Sequence, residues 1–325
     1  MRLQTLALDE TERARFADTI DRLPAFTMAE LDGPVLPAIG ARCAELPARL
    51  CDALAGFAAG GGEAGGMLVR GVPVDEALPD TPRDGRPAPG KRSLTSESAL
   101  LLVSSCVGTP IGYREEKNGQ LVHDVCPSPG RETRQENTGS VYFEVHTENA
   151  FHPFKPDHVA LLCLRPDHDH TARTLVGDVE AALPLLPPGD VAVLRQPRFR
   201  HRMPTSFAGP DGEDAFSRPQ PVVLGPEDRP GLNVDAFNTV AVDAEAEPPL
   251  RRFVQALESV LVGARLESGD LLLVDNRRAV HARTGFTPRY DGRDRWLQRT
   301  FSVRDFARTA AARPRGSHVC SLAAR

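Results

Sequence analysis

The sequence lacks any apolar run long enough to span a bilayer, and its start leads into the charged residues Asp9, Glu10 and Glu12 rather than into the apolar core of a signal peptide. It also lacks an excess of positive charge, since the formal net charge is −5 at pH 7 and acidic and basic residues are interspersed. Nucleic acids and anionic membranes attract basic stripes or polybasic tails. We therefore expect a cytoplasmic protein that binds neither nucleic acid nor membrane.

The six cysteines lack the paired spacing of a zinc site, in a chain far larger than disulfide-framed secreted domains. They are Cys43, Cys51, Cys106, Cys126, Cys163 and Cys320, and we expect reduced, mostly buried thiols. Serine and cysteine nucleophile motifs are absent, and the glycine-rich segment Gly60 to Gly66 lacks the lysine of a phosphate-binding loop. These absences disfavour nucleophile-dependent hydrolases, proteins with cysteine-zinc clusters and P-loop proteins.

The length of 325 residues is expected to form a single domain, because enclosed β-barrels with flanking helices reach this size as one unit. Apolar residues at helical spacing predict a helical N-terminal part of about residues 1–66, with helices over Asp9–Leu23 and Leu36–Ala58. A β core is predicted over about residues 67–305, and residues 306–325 are predicted to form a tail.

Short runs of β-branched and aliphatic residues, separated by Pro, Gly and Asp, predict an all-β barrel or sandwich in the second half of the chain. The predicted strands are Val141–Val145, His158–Leu164, Val191–Leu194, Val222–Leu224, Asp270–Val274 and Trp296–Val303, and helices are predicted over Thr95–Val107 and Glu247–Val262. Residues 204–230 contain little regular structure, which is typical of a disordered segment or of an active-site lid. The predicted fold class is mainly β with flanking helices.

Two histidines and a glutamate form the most informative pattern. Side chains alternate along an extended chain, so His146 and Glu148 lie on one face if the strand before them continues. His281 follows a predicted strand, a tight turn and a second short strand, and a barrel brings such distant strand ends side by side. Two imidazoles and one carboxylate on one side of Fe(II) leave the other side open for substrates. Alone, a His-x-Glu pair is weak evidence, since surface pairs and hydrogen-bonded core histidines account for most examples.

Two arginines near the end of the chain add to this pattern. Arg295 and Arg299 lie four residues apart in a predicted strand, hence on the same face, and the segment is too apolar for a solvated edge. Buried arginine side chains need anions. A dicarboxylic cosubstrate and an amino-acid carboxylate would supply them, held bidentately by the guanidinium groups. An ion pair with acidic residues of the protein explains the arginines equally well.

The remaining histidines carry less information. His168 and His170 flank an aspartate in a turn rich in proline and aspartate, and solvated loop residues explain them at least as well as a metal site does. The others, His123, His152, His158, His201 and His318, have no partner at ligand spacing. The histidine pattern therefore favours the site at His146.

Three longer motifs resemble a known family. His146-Thr-Glu148, Asp275-Asn-Arg-Arg-Ala-Val-His281 and Phe286-Thr-Pro-Arg-Tyr-Asp-Gly-Arg-Asp-Arg295-Trp resemble the clavaminate synthase-like branch of the Fe(II)/2-oxoglutarate dioxygenases. Within that branch the sequence is most similar to hydroxylases of free amino acids, such as the arginine β-hydroxylase of viomycin biosynthesis and asparagine oxygenase. The resemblance extends from about Met67 to Asp305.

The resemblance implies a double-stranded β-helix, or jelly-roll, core that holds Fe(II). By residue match, His146, Glu148 and His281 bind the iron, and these three are the candidate catalytic residues. Arg295 binds the carboxylate of the cosubstrate 2-oxoglutarate, and Thr174 contacts the same cosubstrate. The family also uses O2. Because Glu148 keeps the carboxylate ligand that related halogenases lack, the resemblance favours hydroxylation over chlorination.

The same match implies a set of substrate contacts. Arg299 corresponds to the arginine that binds the substrate α-carboxylate, Glu116 lies near a contact to the α-amino group, and Asn137 adds a hydrogen bond. Asp235 corresponds to one of two acidic groups that hold guanidinium in the arginine enzyme, but Phe237 stands at the second position. One carboxylate suits an amide or an ammonium group better than a guanidinium group. An ordinary turn aspartate remains an alternative for Asp235.

The resemblance implies a hydroxylase that acts on the β or γ carbon of a free L-amino acid with a polar side chain, in specialised-metabolite or peptide-antibiotic biosynthesis. Desaturation or ring closure, or a carrier-bound substrate, are alternatives within the family. Outside it, the chain would be a metal-free jelly-roll that binds an amino acid, or a zinc hydrolase. The intact ligand set argues against the first, and a hydrolase has no use for two barrel-facing arginines.

Overall fold

The computed structural model describes residues 2–60, 62–88, 90–208 and 215–322. The helices are α1 Glu10–Asp21, α2 Leu36–Gly40, α3 Ala48–Ala58, α4 Thr95–Val107, α5 Val179–Ala182, α6 Pro188–Leu194, α7 Thr205–Ala208 and α8 Glu247–Ser259. The strands are β1 Gln4–Ala7, β2 Gly66–Arg70, β3 Thr109–Tyr113, β4 His123–Val125, β5 Phe143–His146, β6 His158–Arg165, β7 Arg173–Asp178, β8 Phe199–His201, β9 Val223–Leu224, β10 Gly231–Leu232, β11 Thr239–Ala241, β12 Val262–Arg265, β13 Leu271–Asp275, β14 Ala279–Arg283, β15 Trp296–Val303 and β16 Val319–Cys320. The fold is rich in sheet with flanking helices, as the sequence predicts.

Two sheets carry most of the strands. The large sheet has eight strands in the order β1-β2-β13-β6-β15-β3-β16, with β4 also paired to β15. The small sheet has four strands in the order β12-β7-β14-β5, all antiparallel. In the large sheet β1 and β16 pair in parallel with their neighbours, and the other pairs are antiparallel. Strands distant in sequence thus become neighbours.

Side-chain alternation gives the large sheet two different faces. One face packs against α1 to α4, and it includes Met67, Leu162 and Leu273. The residues next to these in the chain, among them Leu68 and Leu161, point the other way into a core shared with Val176, Ala279 and others of the small sheet. On the outer face of the small sheet, α5 and α8 cover a third apolar cluster. The space between the two sheets is therefore lined by inward-facing residues of both.

The N-terminal part differs from its prediction at two places. It begins with β1, which pairs with β2 in the large sheet, although the sequence predicted only helices there. The helix predicted over Leu36–Ala58 is interrupted, since α2 ends at Gly40, a short 3-10 helix spans Cys43–Glu45, and α3 begins after Pro47. Proline lacks an N–H and fits only the first turn of a helix, so it starts a new one here.

Two further elements correct the sequence predictions. Val191–Leu194, predicted as a strand, belongs to helix α6, which begins with Pro188. A short apolar run does not distinguish a strand from a buried helical turn, and this prediction was wrong for that reason. The helix predicted to reach Val262 ends at Ser259, and Val262 begins β12.

The predicted loop and tail contain some regular structure. The loop 204–230 includes α7 and β9, while its residues 209–214 lie outside the described residues. The tail includes a 3-10 helix, Ala307–Ala312, and β16, which extends the large sheet beyond β3; residues 323–325 lie outside the described residues. Among the helices of the described segments, none has the length and apolarity needed to cross a membrane.

Candidate active site

Two histidines face each other across neighbouring strands of the small sheet. His146 ends β5 and His281 lies within β14, and the two are direct partners in the antiparallel register. Their ring centroids lie 4.2 Å apart. Directly opposed residues of antiparallel strands point to the same face of the sheet. Strand pairing therefore brings together two histidines that are far apart in the sequence, as predicted.

Glu148 completes a cluster of possible metal donors. It lies two residues beyond His146, and its Oε2 lies 3.5 Å from Nε2 of His281. One donor atom from each of the three residues lies within 4.8 Å of the other two, and all three side chains are buried. Two imidazoles and one carboxylate are the donor set of non-haem Fe(II) sites with open positions.

The imidazole of His146 is oriented by its surroundings. Nδ1 lies 2.8 Å from the carbonyl oxygen of Glu144, and because a carbonyl only accepts, Nδ1 carries the proton and Nε2 remains free to bind a metal. Phe143 stacks on the ring, with centroids 4.2 Å apart. Burial, together with the nearby His281, lowers the pKa of His146 to about 3, so the ring is neutral at pH 7. Neutral imidazole is the metal-binding form.

Asn276 holds the backbone of Glu148 in place, a role that the sequence did not predict. The backbone N–H of Glu148 donates to Oδ1 of Asn276 at 2.7 Å, and Nδ2 of Asn276 donates to the carbonyl oxygens of Glu148 at 3.1 Å and of Pro156 at 2.9 Å. Asn276 is fully buried, so these bonds are shielded from water. Its position in the turn before β14, inside the second family motif, is the signal that could have found it.

Arg295 and Thr174 lie together as the resemblance implies. Nη2 of Arg295 donates to Oγ1 of Thr174 at 3.2 Å, and both residues line a small cavity that also contains His146 and His281. Arg295 is only 5% exposed, yet no carboxylate of the described residues forms an ion pair with it. Burial lowers the pKa of Arg295 from its ordinary value. The alternative of an ion pair within the protein is therefore not observed for this arginine in the described segments.

Arg283, which was not among the residues predicted from the sequence, lines the same cavity. It follows His281 by two residues in β14, pairs in register with Thr174, and is 6% exposed. Burial, and after it the positive charge of Arg295, lowers the pKa of Arg283 to about 9. Strand alternation could have revealed it, because a residue two positions from an inward-facing histidine points inward as well.

Arg299 is bound by acidic groups of the protein. Its Nη1 donates to Oε1 of Glu148 at 2.8 Å and its Nη2 to Oε1 of Glu116, and Nη2 also lies 3.0 Å from Nδ1 of His123. With the Asn137 amide oriented to satisfy both groups, its oxygen accepts from Nη1 at 2.9 Å and from Nη2 at 3.2 Å. The ion pair within the protein, one of the two alternatives for these arginines, is thus present for Arg299. Its contact with a substrate carboxylate stays a prediction.

Arg299 favours the ionised form of Glu148. Burial alone would raise the pKa of Glu148, but the charge of Arg299 and the interactions with His281 and His146 outweigh it and hold the pKa well below its usual range. The carboxylate is therefore ionised at neutral pH, which is the state that binds a metal.

A second, larger cavity opens above the cluster, with a volume of about 390 Å³. The predicted substrate contacts Glu116, Asn137 and Asp235 line it together with His146 and Glu148. The first residues of the predicted loop 204–230, from Pro204 to Phe207, form part of its wall. Volumes of this size are typical of small-molecule sites. Two residues of the cluster and three of the predicted substrate contacts thus share this cavity, while His281 and Arg299 line the smaller one.

Asp235 both supports a turn and faces the cavity. Its Oδ1 accepts from the backbone N–H groups of Phe237 and Asn238 at 3.0 Å each, and its Oδ2 accepts from Nδ2 of Asn238 at 2.8 Å. The turn role that was the alternative for Asp235 is therefore real. Each carboxylate oxygen has two acceptor positions, so Oδ2 can accept one more hydrogen bond from the cavity. Phe237, at the position of the missing second acidic group, is 60% exposed.

His168 lies in a second group of possible donors, with Asp291 and Asp294. Nε2 of His168 is 3.2 Å from Oδ1 of Asp291, which is an ordinary hydrogen-bond distance, and Asp291 is exposed. His170 pairs with exposed Glu267 at 3.0 Å. These contacts agree with the interpretation of both histidines as loop residues.

Comparisons with known proteins point to one family. Residues 92–301 match the family described as "Taurine catabolism dioxygenase TauD, TfdA family". L-asparagine oxygenase of Streptomyces coelicolor is 44% identical over 279 residues, which are 85% of this chain and 82% of that protein. Clavaminate synthase 2 of Streptomyces clavuligerus is 39% identical over 282 residues, 86% of each protein.

A solved structure is similar along almost the whole chain. The structure of asparagine oxygenase in complex with Fe(II), 2S,3S-3-hydroxyasparagine and succinate superposes with a TM-score of 0.90 at 38% identity. The superposition covers 98% of this chain and 99% of that chain. Succinate is what remains of 2-oxoglutarate after oxidative decarboxylation, so that complex holds the products of a 2-oxoglutarate-dependent hydroxylation.

Proposed function

The chain belongs to the taurine catabolism dioxygenase TauD, TfdA family, and from that premise we propose that it hydroxylates a free L-amino acid with a polar side chain at the β or γ carbon. The reaction uses Fe(II), 2-oxoglutarate and O2, and its biological setting is specialised-metabolite or peptide-antibiotic biosynthesis. The observation that carries the proposal is the cluster of His146, Glu148 and His281, with donor atoms within 4.8 Å of one another beside a cavity of about 390 Å³.

The proposed iron ligands are His146, Glu148 and His281, and the residues fit the ion. Oε2 of Glu148 is buried and has no hydrogen-bond partner among the described residues. An ionised carboxylate oxygen without a partner is costly to bury, and a cation bound to it removes that cost. Nε2 of His146 is free because Nδ1 donates to the backbone. Glu148 is thus ionised and His146 neutral, which are the states in which these residues bind a divalent metal.

The proposed site for 2-oxoglutarate is at Arg295 and Thr174. Arg295 is buried without an ion-pair partner in the described segments and lies beside the metal cluster, so a dicarboxylate supplies the missing negative charge. The guanidinium group binds a carboxylate through two parallel hydrogen bonds. This pairing supports 2-oxoglutarate rather than an uncharged cosubstrate.

The proposed amino-acid site uses Arg299, Glu116, Asn137 and Asp235. An amino acid carries one negative and one positive group on the same carbon, and the adjacent charges of Arg299 and Glu116 are complementary to both. Asn137 contacts Arg299 and faces the cavity. At the other end Asp235 offers one acceptor position, which suits a side chain with a single N–H or ammonium donor. Two fixed ends present one carbon to the reactive centre.

When bound, Fe(II) with 2-oxoglutarate and O2 supplies the oxidant that replaces one C–H hydrogen of the amino acid by hydroxyl, while 2-oxoglutarate becomes succinate and CO2. The residues of the chain bind and orient the metal, the cosubstrate and the amino acid, and they shield them from water. His146, Glu148 and His281 are buried between the two sheets, and residues Pro204 to Phe207 border the cavity above them. Such enclosure protects reactive species from water.

We also propose that the two sheets form a double-stranded β-helix, or jelly-roll, and that residues 1–325 are one catalytic domain. The facing large and small sheets, their shared apolar core and the location of the cluster between them support this assignment. The N-terminal helices pack on the outer face of the large sheet, so they have no core independent of it.

The test is a screen for succinate release that depends on the amino acid. The purified protein is incubated with Fe(II), 2-oxoglutarate and O2, and each proteinogenic amino acid, ornithine and citrulline is tested. One or a few polar amino acids should stimulate succinate formation and give a product heavier by one oxygen, with its position read by NMR. A product lighter by two hydrogens would indicate desaturation or ring closure instead. Succinate release that is stimulated only by a carrier-bound amino acid would overturn the proposal that the substrate is a free amino acid.

A further inference from the structure

A second buried arginine adjoins the proposed cosubstrate site. Arg283 lies on β14, opposite Thr174 on β7 and opposite Phe143 on β5 in the strand register. Arg295 donates to the hydroxyl group of Thr174, so both arginines adjoin the same threonine. Both also line the small cavity that contains His281. Strand β14 of the small sheet and the residue just before β15 of the large sheet thus place two guanidinium groups beside the proposed metal ligands.

Among the described residues, the two positive charges lack a negative partner. Nη2 of Arg283 donates to the carbonyl oxygen of Val141 at 2.7 Å, and its Nε is buried with no hydrogen-bond partner in the part of the chain that the structure describes. The ring of Phe286 lies 5.0 Å from the guanidinium carbon of Arg283 and 5.8 Å from that of Arg295. No carboxylate of the described residues pairs with either arginine, in contrast to Arg299, which contacts two. Aromatic contacts stabilise a buried cation less than an anion does.

We propose that Arg283 and Arg295 together bind the distal carboxylate of 2-oxoglutarate. This inference rests on the proposed function and adds a residue to it. A carboxylate has two oxygens and about four acceptor positions, enough for two guanidinium groups and a threonine hydroxyl. Two arginines on one carboxylate make the site selective for a keto acid with a second acidic group, because a keto acid without it leaves both charges unpaired.

A purely structural role is the competing explanation for Arg283. Its bond to Val141 ties β14 to the segment before His146, so its loss would shift the cluster as a whole. Such a shift would weaken the binding of every keto acid to a similar extent. If Arg283 contacts the distal carboxylate directly, its replacement weakens the binding only of keto acids that have a distal carboxylate. The comparison of 2-oxoglutarate with 2-oxobutyrate, which lacks the distal carboxylate, separates the two explanations.

The experiment measures binding without turnover. Wild type and Arg283→Gln are loaded with Fe(II) without oxygen, and each keto acid is titrated by its charge-transfer absorbance and by calorimetry. The substitution should weaken the binding of 2-oxoglutarate by about tenfold or more, as expected for the loss of a charge-assisted hydrogen bond. The affinity for 2-oxobutyrate should stay nearly unchanged. Equal losses for both keto acids, or no loss for either, would overturn the inference.

Controls keep the result interpretable. Arg265→Gln removes an exposed arginine from β12 and should change neither affinity. Thermal unfolding of ligand-free protein checks the fold, and Arg283→Lys, which keeps the charge, replaces Arg283→Gln if that variant does not fold; it should retain part of the preference for 2-oxoglutarate. If wild type itself bound no 2-oxoglutarate, the proposed function would fail. If wild type bound it and Arg283→Gln bound it equally well, only this inference would fail.

Discussion

Glu148 and Arg299 form a buried ion pair in which Nη1 of the arginine donates to Oε1 of the carboxylate at 2.8 Å. One residue of this pair is a proposed iron ligand, and the other is the proposed anchor of the substrate carboxylate. The pair leaves Oε2 of Glu148 directed toward His281 and with no hydrogen bond from residues 2–60, 62–88, 90–208 and 215–322. We infer that this pair couples metal binding to amino-acid binding. A cation bound to Glu148 changes the negative charge available to Arg299, and a substrate carboxylate bound to Arg299 changes the positive charge available to Glu148.

Replacement of Glu148 by alanine should abolish hydroxylation while the fold survives. The variant loses one of three proposed iron donors, but Arg299 keeps its contact with Glu116 and therefore does not become an unpaired buried charge. We expect amino-acid-dependent succinate release to fall by at least about 100-fold, with reduced iron content and a preserved circular dichroism spectrum. Glu258→Ala, on the exposed face of α8, is the matched control. Turnover like that of wild type would remove Glu148 from the metal shell.

Replacement of Arg299 by alanine should weaken the binding of the amino acid more than the binding of 2-oxoglutarate. It removes the proposed partner of the substrate carboxylate and leaves Glu148 and Glu116 without their common cation. Breaking a buried pair in this way costs about 3–5 kcal/mol of stability, so Arg299→Lys is measured beside it. Calorimetric titration of each ligand provides the readout. A collapse of 2-oxoglutarate affinity with intact amino-acid binding would reverse the assignment of Arg295 and Arg299.

Replacement of Asn276 by alanine should weaken iron binding through its effect on Glu148. The substitution removes the hydrogen bonds that hold the N–H and the carbonyl oxygen of Glu148. Loss of a residue that orients a metal ligand typically reduces metal affinity by about 10- to 100-fold. Anaerobic Fe(II) titration measures it. Asn233→Ala removes another buried amide, which bonds to Ala150, and controls for lost stability. If Asn276→Ala and Asn233→Ala bound iron with equal affinity, Asn276 would contribute to stability but not to the orientation of Glu148 as a metal ligand.

The sequence predicted the elements that have a strong local pattern. Helix Thr95–Val107 and strand Trp296–Val303 have the predicted bounds, and the meeting of His146 with His281 followed from strand alternation and the motifs. Val191–Leu194 was assigned to the wrong element, because four apolar residues fit a strand and a helical turn equally well. Strand β1 was missed because its partner β2 lies about sixty residues away in the sequence, and pairing at that distance leaves no local signal.

The candidate site was predictable to the extent that its residues belong to long motifs. Asn276 and Arg283 were missed although both lie in or next to the motif that contains His281, since their roles depend on cross-strand contacts rather than on residue type. The sequence allowed an ion pair for Arg299 but did not identify Glu148 as its partner, because the pair joins β15 to a residue just after β5. Side-chain geometry across strands decides which buried arginine already has an anion and which one lacks it.

Asp124 should make stability fall as pH rises from about 4 to about 6. Its Oδ1 accepts from Nε1 of Trp296 at 2.7 Å, but burial outweighs this bond and raises the pKa of Asp124 from 3.8 to about 6. Between these values the folded state holds a proton that the unfolded state has lost, so folding is favoured at the acid end. Above pH 6 both states are ionised, and the penalty remains constant at on the order of 3 kcal/mol, from about 1.4 kcal/mol per pKa unit.

Replacement of Asp124 by asparagine removes this charge and keeps an oxygen that can accept from Trp296. The free energy of unfolding of Asp124→Asn minus that of wild type should therefore rise between pH 4 and 6 and level off above pH 6. Urea denaturation at a series of pH values measures both proteins, and Asp52→Asn, in an exposed position of α3, controls for the loss of one negative charge. A difference that does not change with pH would mean that the carboxyl of Asp124 is solvated or stabilised as well in the folded as in the unfolded chain.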